Sequence, residues 1–352
     1  MPVWCRVFRM LVLALALVGA SGPRPSMAVE TLRVLAWPGY ADPDLVKRFE
    51  ERVGARVEVS FIGSDDALWD RISEPSVRPF DVFATNTAEL QRYIDAGLLR
   101  ALDPAAIPNL KRQLPAFQAR DRIPGVVRDG RLFAIPYVYA EMGLIYDRRT
   151  VTTAPDSISV LWDPHYRGRV LAYDGGTHNF SLAAMRLGKP SPFRYEAADW
   201  DAGVEQLIAL RRNVLTFYSL PEESVELFRD NRVSILFANY GMQQLQLLRA
   251  AGVDAGYVIP REGALAWLDC WAVTARASNP ALAMAWISFT LEPEVSLALT
   301  SRHGLNNTLQ QASDDGNSGH LLWLEPVEDA ARRAELWHRI VSGERAIKLR
   351  GE

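Results

Sequence analysis

Three apolar stretches near the start of the chain decide the fold: Thr-Leu-Arg-Val-Leu-Ala-Trp at 31–37, Arg-Val-Glu-Val-Ser-Phe-Ile at 56–62, and Phe-Asp-Val-Phe-Ala-Thr at 80–85. Each predicts a buried strand. Asp42 before a proline and Ser64 before two aspartates are typical helix starts between them. This alternation predicts a parallel α/β sheet. Ligands bind beyond the carboxyl ends of such strands, which is where Trp37 and Tyr40 lie.

A further strand is predicted at 265–273, within the stretch Ala-Leu-Ala-Trp-Leu-Asp-Cys-Trp-Ala-Val at 264–273. Residues i and i+2 of a strand point to one face, so Trp267 and Asp269 project side by side. An indole face and a carboxylate together suit an amine, because both attract its positive charge. The alternative is a strand end with a buried tryptophan and an aspartate that caps the next turn.

The first 28 residues are predicted to be a secretory signal peptide. Arg6 and Arg9 precede an apolar run at 10–20 that is too short to cross a membrane, and Ser26-Met27-Ala28 fits a cleavage site. An N-terminal anchor helix is the alternative. The remaining residues of the 352 are enough for two domains, with no second long apolar run.

Charge and cysteine content narrow the class further. Without the three arginines of the leader, 36 basic residues face 42 acidic ones, which disfavours a nucleic-acid partner. Cys5 leaves with the leader, so Cys270 remains alone and no internal disulfide forms. Its place beside Asp269 disfavours a thiolate and indicates a packing role. An exported protein held by a large core instead of disulfides points to the periplasm.

Patterns typical of enzymes and metal sites are absent from the sequence. The five histidines show no i, i+4 pair, and there is no His-Glu-x-x-His, no Gly-x-Ser-x-Gly and no Gly-x-Gly-x-x-Gly after a strand. We therefore predict no catalytic residues, no metal and no cofactor.

With these residues in place, the chain resembles the polyamine-binding proteins of bacterial ABC importers, which are type II periplasmic binding proteins. The resemblance covers essentially the whole chain after the leader and rests on these motifs: Trp37-Pro38-Gly39-Tyr40, Phe80-Asp81-Val82-Phe83, Ile135-Pro136-Tyr137, the run from Leu161 to Gly168, and Trp267-Leu268-Asp269.

The resemblance implies an α/β protein of two lobes with a ligand cleft between them. The expected division places residues 29–138 and 270–311 in lobe 1, and residues 139–269 and 312–352 in lobe 2. It also implies a monomer that delivers a small amine-bearing ligand to an inner-membrane ABC permease. In the family that the chain resembles, this ligand is a polyamine.

Several ligand-binding residues of the family carry over onto this chain. The aromatic pair after the first strand falls on Trp37 and Tyr40, and the amine clamp falls on Trp267 and Asp269. The further matches are an aromatic at Tyr139 and a serine at Ser219. Tyr240 follows Asn239 at the end of a predicted strand and is a candidate by its position alone.

Other positions depart from the family pattern. The carboxylates that hold the second amino group fall near Gly175 and His178, where a helix begins. Free N–H groups and the helix dipole favour an anion there, and His178 adds a donor. This predicts a monoamine or an ω-amino acid as ligand. The alternative is that the segment only starts a helix, and that Glu141 or Glu325 reaches a second amine.

The resulting function is capture of an amine-bearing solute by lobe closure for an ABC permease. A ligand sensor that signals to a receptor would use the same ligand step. An exported enzyme on the same fold is disfavoured, because the sequence shows no nucleophile–base pair and no metal set.

Overall fold

The computed structural model describes residues 29–76, 78–310 and 321–344. The predicted signal peptide lies outside the described residues. The strands are β1 (Thr31–Ala36), β2 (Arg56–Phe61), β3 (Val82–Asn86), β4 (Val127–Arg128), β5 (Arg131–Leu132), β6 (Ala134–Met142), β7 (Leu144–Asp147), β8 (Val170–Tyr173), β9 (Thr216–Tyr218), β10 (Ile235–Phe237), β11 (Ala255–Val258), β12 (Ala264–Val273), β13 (Asn306–Asn307) and β14 (Leu321–Trp323).

The α-helices connect these strands and cover the sheets. They are α1 (Pro43–Val53), α2 (Asp65–Ser73), α3 (Thr87–Asp95), α4 (Pro115–Gln118), α5 (Gly176–Arg186), α6 (Trp200–Asn213), α7 (Pro221–Asp230), α8 (Met242–Ala250), α9 (Pro280–Thr290), α10 (Pro293–His303) and α11 (Ala330–Val341). No single helix in the described ranges is long and apolar enough to cross a membrane, although the bent pair α9 and α10 meets the test by length and composition.

The larger sheet has the strand order β13-β6-β12-β3-β1-β2, with β14 added beside β12. β1 runs parallel to both β2 and β3, which confirms the predicted βαβ arrangement. The long strand β12 runs antiparallel to its neighbours β3 and β6, and its ladder with β6 carries a bulge between Asp269 and Cys270. The carboxyl ends of β1, β2 and β3 therefore lie at one edge of the larger sheet, where they meet β12.

The helices after β1 and β2 form for local reasons. Pro43 opens α1, and Gly54 at φ +68° ends it in a left-handed conformation that glycine adopts without cost. The hydroxyl of Ser64 caps α2 by accepting the N–H of Ala67 at 3.1 Å. This cap places Asp65 at the first position of α2, directly beyond the carboxyl end of β2.

The smaller sheet has the order β11-β7-β10-β8-β9. One apolar core lies on the larger sheet and draws on residues from Leu32 to Tyr139 and from Leu268 to Leu305. We call this half the main-sheet lobe. The cores on the smaller sheet draw on Met142 to Leu265 and Leu324 to Ile340, and this half is the second lobe. The predicted two-lobed α/β architecture is confirmed.

The chain changes sheet between β6 and β7, at Gly143, and again between β11 and β12. The cores separate at 139–142 and 265–268. Asp269, which we expected to be the last residue of lobe 2, pairs with Asn86 of β3 and so lies on the larger sheet. Of the segment 312–352 expected in lobe 2, β14 pairs with β12 of the larger sheet, and residues 312–320 and 345–352 lie outside the described residues.

Candidate functional site

A cleft of about 690 Å³ lies between the two lobes. The residues that line it are Trp37, Pro38, Tyr40, Ile62, Gly63, Asp65, Asn86, Tyr173, His178, Leu220, Pro221, Asn239, Tyr240, Gln243, Trp267, Asp269, Leu305 and Leu324. Among these lining residues there are two carboxylates and no lysine or arginine. The cleft therefore has the electrostatic character of a cation site.

Asp269 is the buried carboxylate on the β12 side of the cleft. The hydroxyl of Tyr40 donates to its Oδ2 at 2.6 Å, and the Tyr40 ring is fixed edge-on against Tyr137 and Trp271. Burial raises the pKa of Asp269 to about 7, against the opposing effect of the Tyr40 hydrogen bond. Burial and the neighbouring carboxylate also raise the pKa of the Tyr40 phenol, so Tyr40 stays a donor.

Trp37 and Trp267 supply the aromatic walls. Trp267 lies two residues before Asp269 on the same face of β12, as the spacing predicted, and its Nε1 donates to the Asn239 carbonyl at 3.0 Å. That bond crosses from the main sheet to the second lobe. Trp37 follows β1 and is half-buried at the edge of the cleft. Exposed indole faces near a carboxylate attract a cationic group and its aliphatic stem.

The second lobe contributes neutral polar groups. The ring of Tyr173 packs edge-on against His178 at 5.3 Å and against Tyr240 at 6.1 Å between ring centroids. Burial, with the charge of Arg333, lowers the pKa of His178 to about 4, so this imidazole is neutral at physiological pH. The Tyr240 hydroxyl donates to the Ser219 carbonyl at 2.7 Å.

Asp65 is a cleft residue that the sequence reasoning missed. It is half-buried, and the Nδ2 of Asn86 donates to its Oδ1 at 3.1 Å. Enclosure raises the pKa of the Asp65 carboxyl well above its usual range, and the negative charges of Glu89 and Asp269 raise it further. Its position beyond a strand end was a usable signal, but Ser64-Asp65-Asp66 also fits an ordinary helix start.

Six of the nine predicted site residues line the cleft: Trp37, Tyr40, His178, Tyr240, Trp267 and Asp269. Tyr139 instead packs its ring against Phe117 and Trp323, at 5.6 and 5.7 Å between centroids. Ser219 is exposed, and its contacts to the site are made by its main chain. Gly175 precedes α5, and its carbonyl accepts the Asn179 side chain at 2.8 Å.

The start of α5 does not show the features of an anion site. Asp174, just before it, accepts the Trp337 Nε1 at 2.7 Å and already places a negative charge there. Arg333 is fully buried and pairs with Glu328 at 2.9 Å, so its charge is compensated. The alternative acids do not reach the cleft either, because Glu141 binds Asn306 at 2.8 Å and Glu325 is exposed.

No group of three or more His, Cys, Asp or Glu side chains in the described ranges is placed to hold a metal ion. Burial and the charge of Asp269 raise the pKa of the Cys270 thiol well above its usual range. Cys270 is fully buried, which fits a packing role.

Two lobes, chain crossings between them and a cleft at the strand ends are the architecture of solute-binding proteins. Residues 44–318 match the sequence model of the family described as bacterial extracellular solute-binding protein, and the chain belongs to that family.

Named proteins are similar to this chain in sequence or in structure. The chain is 27% identical over 280 residues to the putrescine-binding periplasmic protein PotF of Escherichia coli, which covers 76% of this chain and 74% of that protein. It is 24% identical over 272 residues to the spermidine/putrescine-binding periplasmic protein of Salmonella typhimurium, with the same coverage. The spermidine/putrescine ABC transporter substrate-binding protein PotD of Streptococcus pneumoniae superposes with a TM-score of 0.73 at 22% identity, over 91% of this chain and 99% of that one.

Proposed function

We propose that this solute-binding protein captures a small amine-bearing molecule in its cleft and delivers it to an ABC permease in the inner membrane. The observation that carries the proposal is Asp269, a buried carboxylate held by Tyr40 and flanked by Trp37 and Trp267, with no cationic side chain lining the cleft. A buried carboxylate without a counterion is costly, and an ammonium group of the ligand would compensate it.

The relatives support this ligand class. Of the similar proteins named above, PotF of Escherichia coli is a putrescine-binding periplasmic protein, and the Salmonella typhimurium protein is a spermidine/putrescine-binding periplasmic protein. In our proposal the carboxylate of Asp269 pairs with the amine, while Trp37, Tyr40 and Trp267 enclose its aliphatic chain. Tyr173, His178 and Tyr240 close over the ligand from the second lobe.

His178 is neutral, and the start of α5 already carries a negatively charged side chain. Both observations favour a ligand without an acidic end. An ω-amino acid would bring its carboxylate to a cleft that has two acids and no cation. Its carboxylate would then lose hydration without gaining an ion pair. We therefore favour a polyamine or a monoamine over an ω-amino acid.

Export and delivery complete the proposed function. The leader predicted at 1–28 would direct the chain to the periplasm, where the named relatives act. The closed, ligand-bound monomer would be the form that the permease recognises, because closure is the change that ligand binding drives.

Calorimetric titration of the purified protein, refolded to remove any carried ligand, tests this function. We expect putrescine, spermidine or a monoamine to bind and 4-aminobutyrate to bind more weakly. Asp269→Asn should weaken amine binding by about ten-fold or more, because it neutralises one partner of a buried charge pair.

A matched control is Asp254→Asn, which removes an exposed carboxylate of the second lobe. Its affinity should equal that of the unaltered protein. If Asp269→Asn bound amines equally well, Asp269 would not be the amine partner. If 4-aminobutyrate alone bound, the preference for a ligand without an acidic end would be wrong.

A further inference from the structure

Two carboxylates, not one, face the ligand space from the same lobe. Asp65 begins α2 and Asp269 lies in β12, and both line the cleft. Asn86 connects them, because it is the direct cross-strand neighbour of Asp269 and its Nδ2 donates to Asp65 at 3.1 Å. Cross-strand neighbours have Cα atoms about 4.5–5.5 Å apart, so one amide side chain separates the two acids.

Neither acid forms a salt bridge with a cationic side chain in the part of the chain that the structure describes. Arg92 donates to the main-chain carbonyl of Asp65 at 3.0 Å and pairs through its Nε with Glu89 at 2.8 Å. The charge of Arg92 lowers the pKa of Asp65, but burial and the neighbouring acids outweigh it and the pKa is raised. One side-chain oxygen of Asp65 accepts from Asn86 and one of Asp269 accepts from Tyr40, which leaves acceptor capacity on both.

A third acceptor in the same cleft has no partner. Asn239 is 6% exposed, and its Oδ1 is buried without a hydrogen bond in the structure. This oxygen can accept a hydrogen bond from a ligand N–H, whereas the Nε1 of Trp37 in the same cleft is an unpaired donor. Two carboxylates and an unpaired amide oxygen together favour a ligand with several N–H donors and positive charge.

We infer that Asp65 is the second cation-binding carboxylate of the site, and that with Asp269 it selects a doubly charged ligand over a singly charged one. The inference rests on the proposed function and adds to it the residue that sets ligand charge. By the resemblance, the family's carboxylates for the second amino group fall near Gly175 and His178, in the second lobe, where this chain departs from the family pattern. In this chain the acid stands instead on the main-sheet lobe, at the start of α2.

Calorimetry with three ligands of similar length tests this assignment: putrescine with two charges, butylamine with one, and 4-aminobutyrate as a zwitterion. The unaltered protein should prefer putrescine to butylamine by about ten-fold or more, since each additional buried ion pair contributes a tenfold factor or more. Asp65→Asn should weaken putrescine binding by about ten-fold and leave butylamine binding nearly unchanged, so that the preference largely disappears.

The matched control is Asp66→Asn, the next residue on the same first turn of α2, which is exposed and does not line the cleft. It removes the same charge from the same helix end, and its putrescine affinity should stay within about two-fold. Asp65→Ser gives a second variant that keeps a residue common at helix starts, in case the asparagine variant does not fold.

The possible outcomes distinguish a wrong role for Asp65 from a wrong proposed function. If Asp269→Asn loses amine binding while Asp65→Asn retains the putrescine preference, the function stands and the role of Asp65 is wrong. A preference of the unaltered protein for butylamine or 4-aminobutyrate would also overturn the role of Asp65. If none of the amines bound, both the function and the inference would be contradicted.

Discussion

At the scale of single residues, the proposed site rests on two carboxylates, Asp65 and Asp269, that are shielded from water in the cleft. Burial raises the pKa of Asp269 to about 7 and holds the pKa of Asp65 above its usual range. Part of the ligand-free population is therefore protonated near neutral pH. A cationic ligand binds the ionised form, so binding must release protons.

This predicts that amine affinity rises with pH. With a pKa near 7, lowering the pH from 7.5 to 5.5 should weaken binding by about 20-fold through Asp269 alone, and Asp65 adds to the loss. The other titratable or charged groups near the two acids are Tyr40, Tyr173, Tyr240, Asp66, Glu89, Arg92 and Cys270. The pKa values of the three phenols and of the Cys270 thiol are raised, so none of them ionises in this range. Burial also raises the pKa of Glu89. His178, with a pKa of about 4, is neutral throughout it.

Titration calorimetry at several pH values, in buffers of different ionisation enthalpy, measures this effect. The buffer dependence of the observed enthalpy counts the protons released. Asp269→Asn should reduce both the proton release and the slope of affinity against pH. A flat affinity between pH 5.5 and 7.5 in the unaltered protein would show that the acids are already ionised before the ligand binds.

The sequence located one of these acids and missed the other for a physical reason. Trp267 and Asp269 are two apart in a strand, and strand geometry alone brings them to one face. Asp65 and Asn86 are 21 residues apart, and only the tertiary fold, which places the start of α2 beside the end of β3 and the helix α3, brings them together. Tyr139 and Ser219 were predicted from the resemblance, and whether they touch ligand stays a prediction that their packing in this structure does not favour.

At the scale of elements, the order and type of the early strands and helices followed from local patterns. The long strand β12 was also predicted almost to its ends. Its bulge at Asp269 was not, because a bulge depends on how β6 pairs with it. The helix α5 begins at Gly176, as the sequence analysis expected near Gly175 and His178. At the C-terminal end of the described chain, Trp337 of α11 packs against Phe217 at 4.8 Å between ring centroids.

The turn between β10 and α8 offers a test of backbone geometry. Gly241 has φ +53° and ψ −128°, and a Cβ added there would lie 2.6 Å from the main-chain oxygen of Glu141. That oxygen belongs to β6, so the turn at Gly241 in the second lobe packs directly against the strand that crosses between the lobes. Gly241→Ala should therefore lower the free energy of unfolding by about 2–4 kcal/mol, because strain and a main-chain clash add.

The matched control lies at the other end of α8. Gly252 also has positive φ, at +77°, but an added Cβ would meet no atom within 4 Å. Gly252→Ala should cost only about 1–2 kcal/mol, from the left-handed backbone alone. Denaturant unfolding of the two variants compares these costs, and equal values would mean that the backbone near Glu141 moves to accommodate the methyl group.

At the scale of the whole molecule, two cores joined by crossing strands allow the lobes to move as units. The cleft takes residues from both lobes, and a Cβ added to Gly63 of the main-sheet lobe would lie 3.6 Å from Leu220 of the second lobe. A ligand in the cleft therefore contacts both halves, and binding should stabilise the native state as a whole.

Thermal unfolding checks this expectation. An amine at 100 times its Kd adds about 2.7 kcal/mol to the stability of the native state, which for a protein of this size raises the Tm by about 3–6 °C. Asp269→Asn at the same ligand concentration should show a shift of less than about 1 °C. An equal shift in the variant would indicate that the stabilising ligand binds elsewhere.

The distribution of charge between the lobes also divides the binding reaction in time. Asp65 and Asp269 both belong to the main-sheet lobe, whereas the second lobe presents the neutral groups Tyr173, His178 and Tyr240. In the proposed function, the main-sheet lobe would attract the cationic ligand to the open protein, and added salt should slow this association because it screens long-range attraction. The neutral groups of the second lobe would then affect mainly how long the closed complex lasts. Substitutions on the two lobes should therefore change different rate constants.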